Sequence, residues 1–179
     1  MRIPVLETDR LHLRAFVPSD AAVVQTLAGA AEVAATTLNI EHPYPDGAAE
    51  AWICGVGERA GEGRALAWAI VNRFEMELIG AISIGLYSRH QRGELGYWLG
   101  VPSWNRGYMT EAAVAVTKHG FEALNLHRVE AMVLPRNGAS IRVVEKAGLA
   151  YEGTLRGYVR KGTVFEDVAI YGQVNEWGK

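Results

Sequence analysis

The chain has 179 residues, 49% of them hydrophobic and 21% charged, and a net charge of −2. That is the composition of an ordinary globular protein, long enough for one domain with a substantial core, and the expected organisation is a single domain over 1–179. The near-neutral charge excludes a global basic field of the kind that draws a protein to nucleic acid or a membrane surface. Cys54 is the only cysteine, so no intramolecular disulfide can form and a reducing compartment is expected.

Met1 leads into a strand-like segment with no basic-then-apolar signal region. The apolar run from Ala65 to Val71 is far too short to span a bilayer, so a cytoplasmic protein is expected. Leu11, Leu13 and Ala15 alternate with His12, Arg14 and Phe16, which predicts a first strand. Pro18-Ser19-Asp20 reads as a helix start with Ser19 as N-cap, followed by an Ala/Val/Leu helix to about Ala35. Two prolines flank Tyr44, so Glu41 to Gly47 is a loop. A second helix is predicted from Ala48 to Ala60, ended by Gly61-Glu62-Gly63. Strands over Ala65 to Asn72 and Leu78 to Leu86 follow, joined by a hairpin connection at Arg73 to Glu77.

A further strand is predicted from Gly93 to Leu99 and a long helix from Arg106 to Leu124, with Ala113, Val116, Gly120, Phe121 and Leu124 on one stripe. Val129 to Leu134 is the next strand. Asn137 caps a short helix that Gly148 ends. Leu149 to Leu155 and Phe165 to Val174 form a closing antiparallel pair joined through Tyr158 to Thr163. The order β-α-α-β-β-β-α-β-α-β-β describes one mixed α/β domain, with the central strand–helix–strand unit parallel.

Residues 93 to 111, G-E-L-G-Y-W-L-G-V-P-S-W-N-R-G-Y-M-T-E, carry the strongest functional signal. A strand runs into a turn and then directly into a helix, whose first amides are unpaired and carry a partial positive charge. Such a helix start suits a phosphate or pyrophosphate, and Gly107 lets an anion approach the main chain. Arg106 and the Thr110 hydroxyl add charge and a donor, while Glu111 reads as a residue that complements the helix dipole. Asn137 and Ser140 open the helix after the next strand, at the strand ends where ligands of α/β sheets collect. Glu94 lies on the incoming strand and shares a face with Gly96 and Trp98, a candidate general base. A plain loop, a capped helix and a surface glutamate are the bland alternatives for these three features.

Other chemistries lack support. The histidines show no metal-ligand spacing, and there is no G-x-x-x-x-G-K-[ST] loop and no G-x-S-x-G elbow. No metal is expected.

Taken together, these residues resemble the GNAT acetyltransferase superfamily, in the branch of the ribosomal-protein alanine N-acetyltransferases. The opening L-E-T-D-R-L-H-L-R, Gly93 to Glu111, His127 to Ala131, Asn137 to Arg142, Glu145 to Gly148, Glu152 to Arg156 and Asp167 carry the likeness, which covers nearly the whole chain. The resemblance implies a mixed sheet flanked by helices, with a splayed parallel strand pair, and acetyl-CoA as donor. It implies that Leu99 and Val101 pair with the pantetheine arm, and that Arg106, Gly107, Tyr108, Met109 and Thr110 hold the pyrophosphate. Asn137 would contact the pantetheine end and Ser140 the region of the sulfur, and Glu94 would accept the amine proton. Trp104 departs from the usual Gln or Arg, Met109 from a small residue, and Val144 from the common acid tyrosine, which leaves Ser140 as the candidate proton donor.

The acceptor expected from this is a primary amine, foremost a protein or peptide N-terminal α-amine. A polyamine, an amine-bearing antibiotic and a non-catalytic acyl-CoA sensor are the alternatives. Tyr44, Trp52 and Tyr158 are expected to wall the acceptor site, and a homodimer is a further possible partner.

Overall fold

A computed structural model describes residues 1–175. Its strands are β1 (Leu6–Glu7), β2 (Leu11–Arg14), β3 (Ala65–Asn72), β4 (Glu77–Tyr87), β5 (Arg92–Leu99), β6 (Arg128–Val133), β7 (Ala150–Lys161) and β8 (Val164–Val174). The helices are α1 (Ala21–Ala28), α2 (Ala31–Thr36), α3 (Ala48–Gly61), α4 (Tyr108–Glu122) and α5 (Gly138–Lys146). Among the described residues the strands form one sheet in the order β1-β2-β3-β4-β5-β6-β8-β7. Every neighbouring pair is antiparallel except β5 with β6, the two strands joined through α4. A parallel pair needs such a crossover, so the predicted parallel unit lies where strand, helix and strand follow one another.

Two apolar layers cover the sheet. Trp68, Ile70, Ile82, Ile84, Leu95 and Val129 pack beneath Ala112, Ala113 and Val116 of α4. On the opposite face Ala81 and Trp98 pack against Val24 and Ala28 of α1, Val33 of α2 and Ala49 of α3. β3 is buried almost throughout, as a central strand covered on both faces must be. Alternation along β5 sends Leu95 and Leu99 to the α4 side and Trp98 to the α1–α3 side. At Gly93 a Cβ would meet Ile84 Cδ1 and Leu126 Cδ1 at 2.6 Å, so only glycine lets these side chains close under α4.

Three elements differ from the sequence expectation. The helix predicted to run to Ala35 breaks after Ala28, and Ala30 turns extended (φ −61°, ψ 133°) to start α2. Gly29 weakens the helix there, and the Gln25 side chain is drawn across to Pro45 and Ala49. Ser19 does not cap; Pro18–Asp20 is a 3₁₀ turn in which Asp20 accepts from the Val17 amide at 2.9 Å. Finally, β7 runs through the residues predicted as a connection, with an irregularity between Leu155 and Val159 where Gly157 takes φ 58°. The Asp167 carboxylate accepts from the Gly157 amide there at 2.7 Å, so a strand interruption, not a loop, absorbs the turn residues.

Two buried or half-buried carboxylates tie the elements together. Asp20 receives both terminal nitrogens of Arg14 at 2.7 and 2.8 Å. Glu111 receives the Thr8 hydroxyl at 2.6 Å, the Arg10 amide at 2.9 Å and Arg10 Nε at 2.7 Å, and so fastens α4 to the β1–β2 edge. Burial alone would raise both carboxyls; the hydrogen bonds and the neighbouring guanidinium outweigh it and hold both below the usual carboxylate range. Because the folded pKa values are depressed, their stabilisation is present above the unfolded value of about 4 and disappears as pH falls through the folded values. Urea midpoints are therefore expected to drop steeply between about pH 5 and pH 2.5. Asp20→Asn should lower the pH 7 midpoint and shallow that drop; an unchanged acid profile in the variant would remove Asp20 from this role.

Candidate active site

The β5–β6 ladder starts at Arg92–Arg128 and ends at Leu95–Ala131. Beyond it β5 stays paired to β4 as far as Leu99, and β6 stays paired to β8 as far as Val133. The two parallel strands therefore part, and a cleft of about 690 Å³ opens between Gly96–Leu99 on one side and Met132–Leu134 on the other. That gap between strands has the shape to accept an extended chain as an added strand.

At one end the cleft meets the start of α4. Gly107 is the N-cap with φ 78°, a left-handed conformation that favours glycine, and no side chain caps the helix. The first-turn amides of Tyr108, Met109 and Thr110 have no intrahelical acceptor and carry the positive end of the helix dipole, a geometry that suits an anion. Arg142 and Lys146 of α5 also line the cleft and form no ion pair among the described residues. In the sequence these two cations stand within the segments that carry the family likeness, with no role assigned to them.

Glu94 lines the cleft on the α1–α3 side of β5. Its Oε2 accepts from the Tyr87 hydroxyl at 3.1 Å, and the Arg92 guanidinium lies 4.0 Å from the Tyr87 ring centre. The Glu94 charge raises the Tyr87 pKa, with burial adding to it. On the opposite, α5 side, the Tyr97 hydroxyl lies 2.7 Å from Ser140 Oγ. Burial pushes Tyr97 up to about 12, against the opposing effect of its bond to Ser140, so it stays protonated and able to donate. Tyr97 was missed because its partner lies 43 residues away; only its alternation to the Leu95 side could have pointed to it.

Other predicted residues fall in different places. Leu99, Gly107, Tyr108, Met109, Thr110, Asn137 and Ser140 line the cleft, as do Tyr44 and Trp52. Val101 and Arg106 are exposed and outside its walls; the Arg106 carbonyl instead accepts from Arg10 Nη1 at 2.9 Å. Tyr158 is exposed on β7, also outside the walls. The Asn137 amide is engaged at both ends: its oxygen accepts from the Ser140 amide at 3.0 Å, and its nitrogen donates to the Thr36 carbonyl at 2.9 Å. It thereby caps α5 and anchors the end of α2. Trp104, where Gln or Arg was usual, donates its indole N–H to the Leu99 carbonyl at 2.8 Å and closes off the end of β5. Val144 is fully buried in the core, so no side chain there reaches the cleft.

Residues 10–150 match the acetyltransferase (GNAT) domain family. The chain is 34% identical over 172 residues to the uncharacterized N-acetyltransferase YoaA of Bacillus subtilis (strain 168), covering 96% of this chain and 97% of that one. Among solved structures, the ribosomal-protein-S5-alanine acetyltransferase from Vibrio fischeri superposes with a TM-score of 0.85 at 23% identity, over 98% of this chain and 99% of that one. RimL, a ribosomal L7/L12 α-N-protein acetyltransferase solved with coenzyme A, gives a TM-score of 0.88 at 18% identity, over 98% and 100%. The chain belongs to the GNAT acetyltransferase family. It is an acetyl-CoA-dependent N-acetyltransferase, and the cleft's parted strands, uncapped helix start and unpaired cations fit that donor. Among the described residues no helix is long and apolar enough to cross a membrane, and no group of three or more His, Cys, Asp or Glu could hold a metal.

Proposed function

We propose that the acceptor is a protein or peptide N-terminal α-amine and that Glu94 and Ser140 serve the transfer from opposite sides of the parted strands. In this reading the donor supplies an activated acetyl thioester. The amides of Tyr108, Met109 and Thr110 bind its pyrophosphate, with Arg142 and Lys146 adding positive charge. The edges of Gly96–Leu99 and Met132–Leu134 hold its pantetheine arm. The acceptor enters on the Glu94 side. Its nitrogen forms the new N–C bond as the C–S bond breaks; the amine proton passes to the Glu94 carboxylate, directly or through a water, and the thiolate is protonated through Ser140 Oγ, which takes the Tyr97 hydroxyl proton as it gives up its own, Tyr97 regaining a proton from solvent after release of product. With Tyr97 as the donor in its 2.7 Å contact with Ser140 Oγ, the serine hydrogen is free to point at the sulfur. Tyr97 is in this account a positioning residue. The observation that carries the reading is the placement of Glu94 and Ser140 on either side of the gap that opens after Leu95.

The choice of an α-amine rests on its acidity. An α-ammonium has a pKa of about 7.7–8.0 and a lysine ammonium about 10.4, so freeing the nitrogen near pH 7 costs about 1 kcal/mol for the first and nearly 5 for the second. A lone carboxylate is adequate to the first task. The test is a peptide with a free α-amine and an internal lysine, incubated with acetyl-CoA and sequenced by tandem mass spectrometry. Acetyl on the first residue supports the reading; acetyl on the lysine, or on neither amine, contradicts it.

A further inference from the structure

On the Glu94 side the cleft wall is mainly apolar, with Thr36, Thr37, Asn39 and Ser83 as its uncharged polar members. Val33, Leu38, Ile40, Tyr44, Trp52 and Trp98 line it, and Glu94 is the only carboxylate among the described lining residues. Trp52 is held in an edge-to-face contact with Phe16, ring centres 4.9 Å apart. The segment that carries Leu38 and Ile40 is pinned from outside. Lys161 Nζ donates to the carbonyls of Ala34 at 3.0 Å, Leu38 at 3.5 Å and Ile40 at 3.2 Å, and Asn137 holds the Thr36 carbonyl. The pocket is thus formed before any acceptor arrives, and little ordering is needed to fill it.

We infer that this pocket selects an N-terminus whose first side chain is large and apolar, leucine, phenylalanine or the like. The inference rests on the function proposed above and extends it to the first residue. Two features carry it. One carboxylate matches one ammonium, whereas a polyamine or aminoglycoside would bring several cations to a wall with nothing to pair them. An aromatic and aliphatic lining gains its discrimination from buried apolar groups, on the order of 10- to 200-fold per methylene-sized difference. A small first residue such as alanine or serine would leave that lining unfilled.

The test is a matched set of peptides differing only at the first residue (Phe, Leu, Ala, Ser), with spermidine and phenylalaninamide alongside, each followed by coenzyme A release. The expected result is a kcat/KM at least about 10-fold higher for Phe or Leu than for Ala or Ser. Trp52→Ala should collapse that ratio toward one, and Trp52→Phe should retain most of it, which separates a lost pocket from a lost fold. Equal or reversed rates for Ala and Ser, or a preference for spermidine, overturn the inference while leaving α-amine acetylation intact. A rate on phenylalaninamide equal to or above that of the Phe peptide overturns its peptide part. Absence of turnover on every peptide would instead contradict the proposed function itself.

Discussion

Glu94→Gln is expected to lower kcat/KM by about 10²- to 10³-fold at pH 7 while leaving acetyl-CoA affinity unchanged. The amide keeps the shape of the carboxylate and can still accept from Tyr87, so the local structure survives. What it loses is the ability to take a proton from the incoming ammonium. The deficit should therefore depend on pH. It is largest below the acceptor's pKa of about 7.7–8.0, where nearly every amine still carries its proton, and it shrinks toward pH 9, where the nitrogen arrives already neutral. A steady-state pH series with a single peptide acceptor reads this directly. A loss of the same size at every pH would make Glu94 a binding group, and no loss would take it out of the chemistry.

The second large effect concerns stability. Glu130 is almost fully buried, yet it joins two cations: Arg92 reaches its Oε1, and Arg128 Nε donates to its Oε2 at 2.7 Å. Arg128 continues the chain to Glu152 at 2.7 Å. Glu130 is also the register partner of Glu94, one rung before the β5–β6 ladder ends. Removing one member of a buried ionic group leaves the others uncompensated, at roughly 3–5 kcal/mol for a fully buried pair. The arginines here keep 31% and 22% of their side-chain surface exposed, so water softens the loss. Glu130→Ala is accordingly expected to cost about 2–4 kcal/mol in urea unfolding at pH 7. It should also lower kcat, because the last rungs before the gap fix how far the strands part. Glu130→Gln, which keeps one acceptor oxygen for one of the two arginines, should cost less than the alanine variant. A change below about 0.5 kcal/mol in the alanine variant would show that the two arginines do not depend on this carboxylate.

What the chain discloses before folding follows the range of the interactions involved. The α4 start was legible because a strand, a turn with Gly107 and a helix are consecutive in sequence, and unpaired first-turn amides follow from helix geometry alone. The parallel β5–β6 pair was legible for the same reason, since a helix of α4's length enforces the crossover. Glu94 was assigned its face correctly by alternation, confirmed by Trp98 packing under α1 and α3. The pairing of Tyr97 with Ser140 was not legible, because it joins a strand to a helix that meet only after the sheet is assembled. Asn137 was read as a cap and it caps, but its second bond, to Thr36, depends on α2 lying against the β6–α5 turn. The split between α1 and α2 hinged on Gln25 and Gly29 yielding to contacts with the loop at Pro45. Tyr158 reads as part of a connecting loop near the acceptor, whereas it lies exposed on β7 and is not among the residues that line the cleft.

The most direct measurement is a crystal structure of the protein with acetyl-CoA bound. The account predicts the pyrophosphate on the amides of Tyr108, Met109 and Thr110, the pantetheine arm between Gly96–Leu99 and Met132–Leu134, and the sulfur beside Ser140 with the acetyl group toward the Glu94 side. Density for the donor outside the gap between β5 and β6, or a thioester turned away from Ser140 and Glu94, would contradict it.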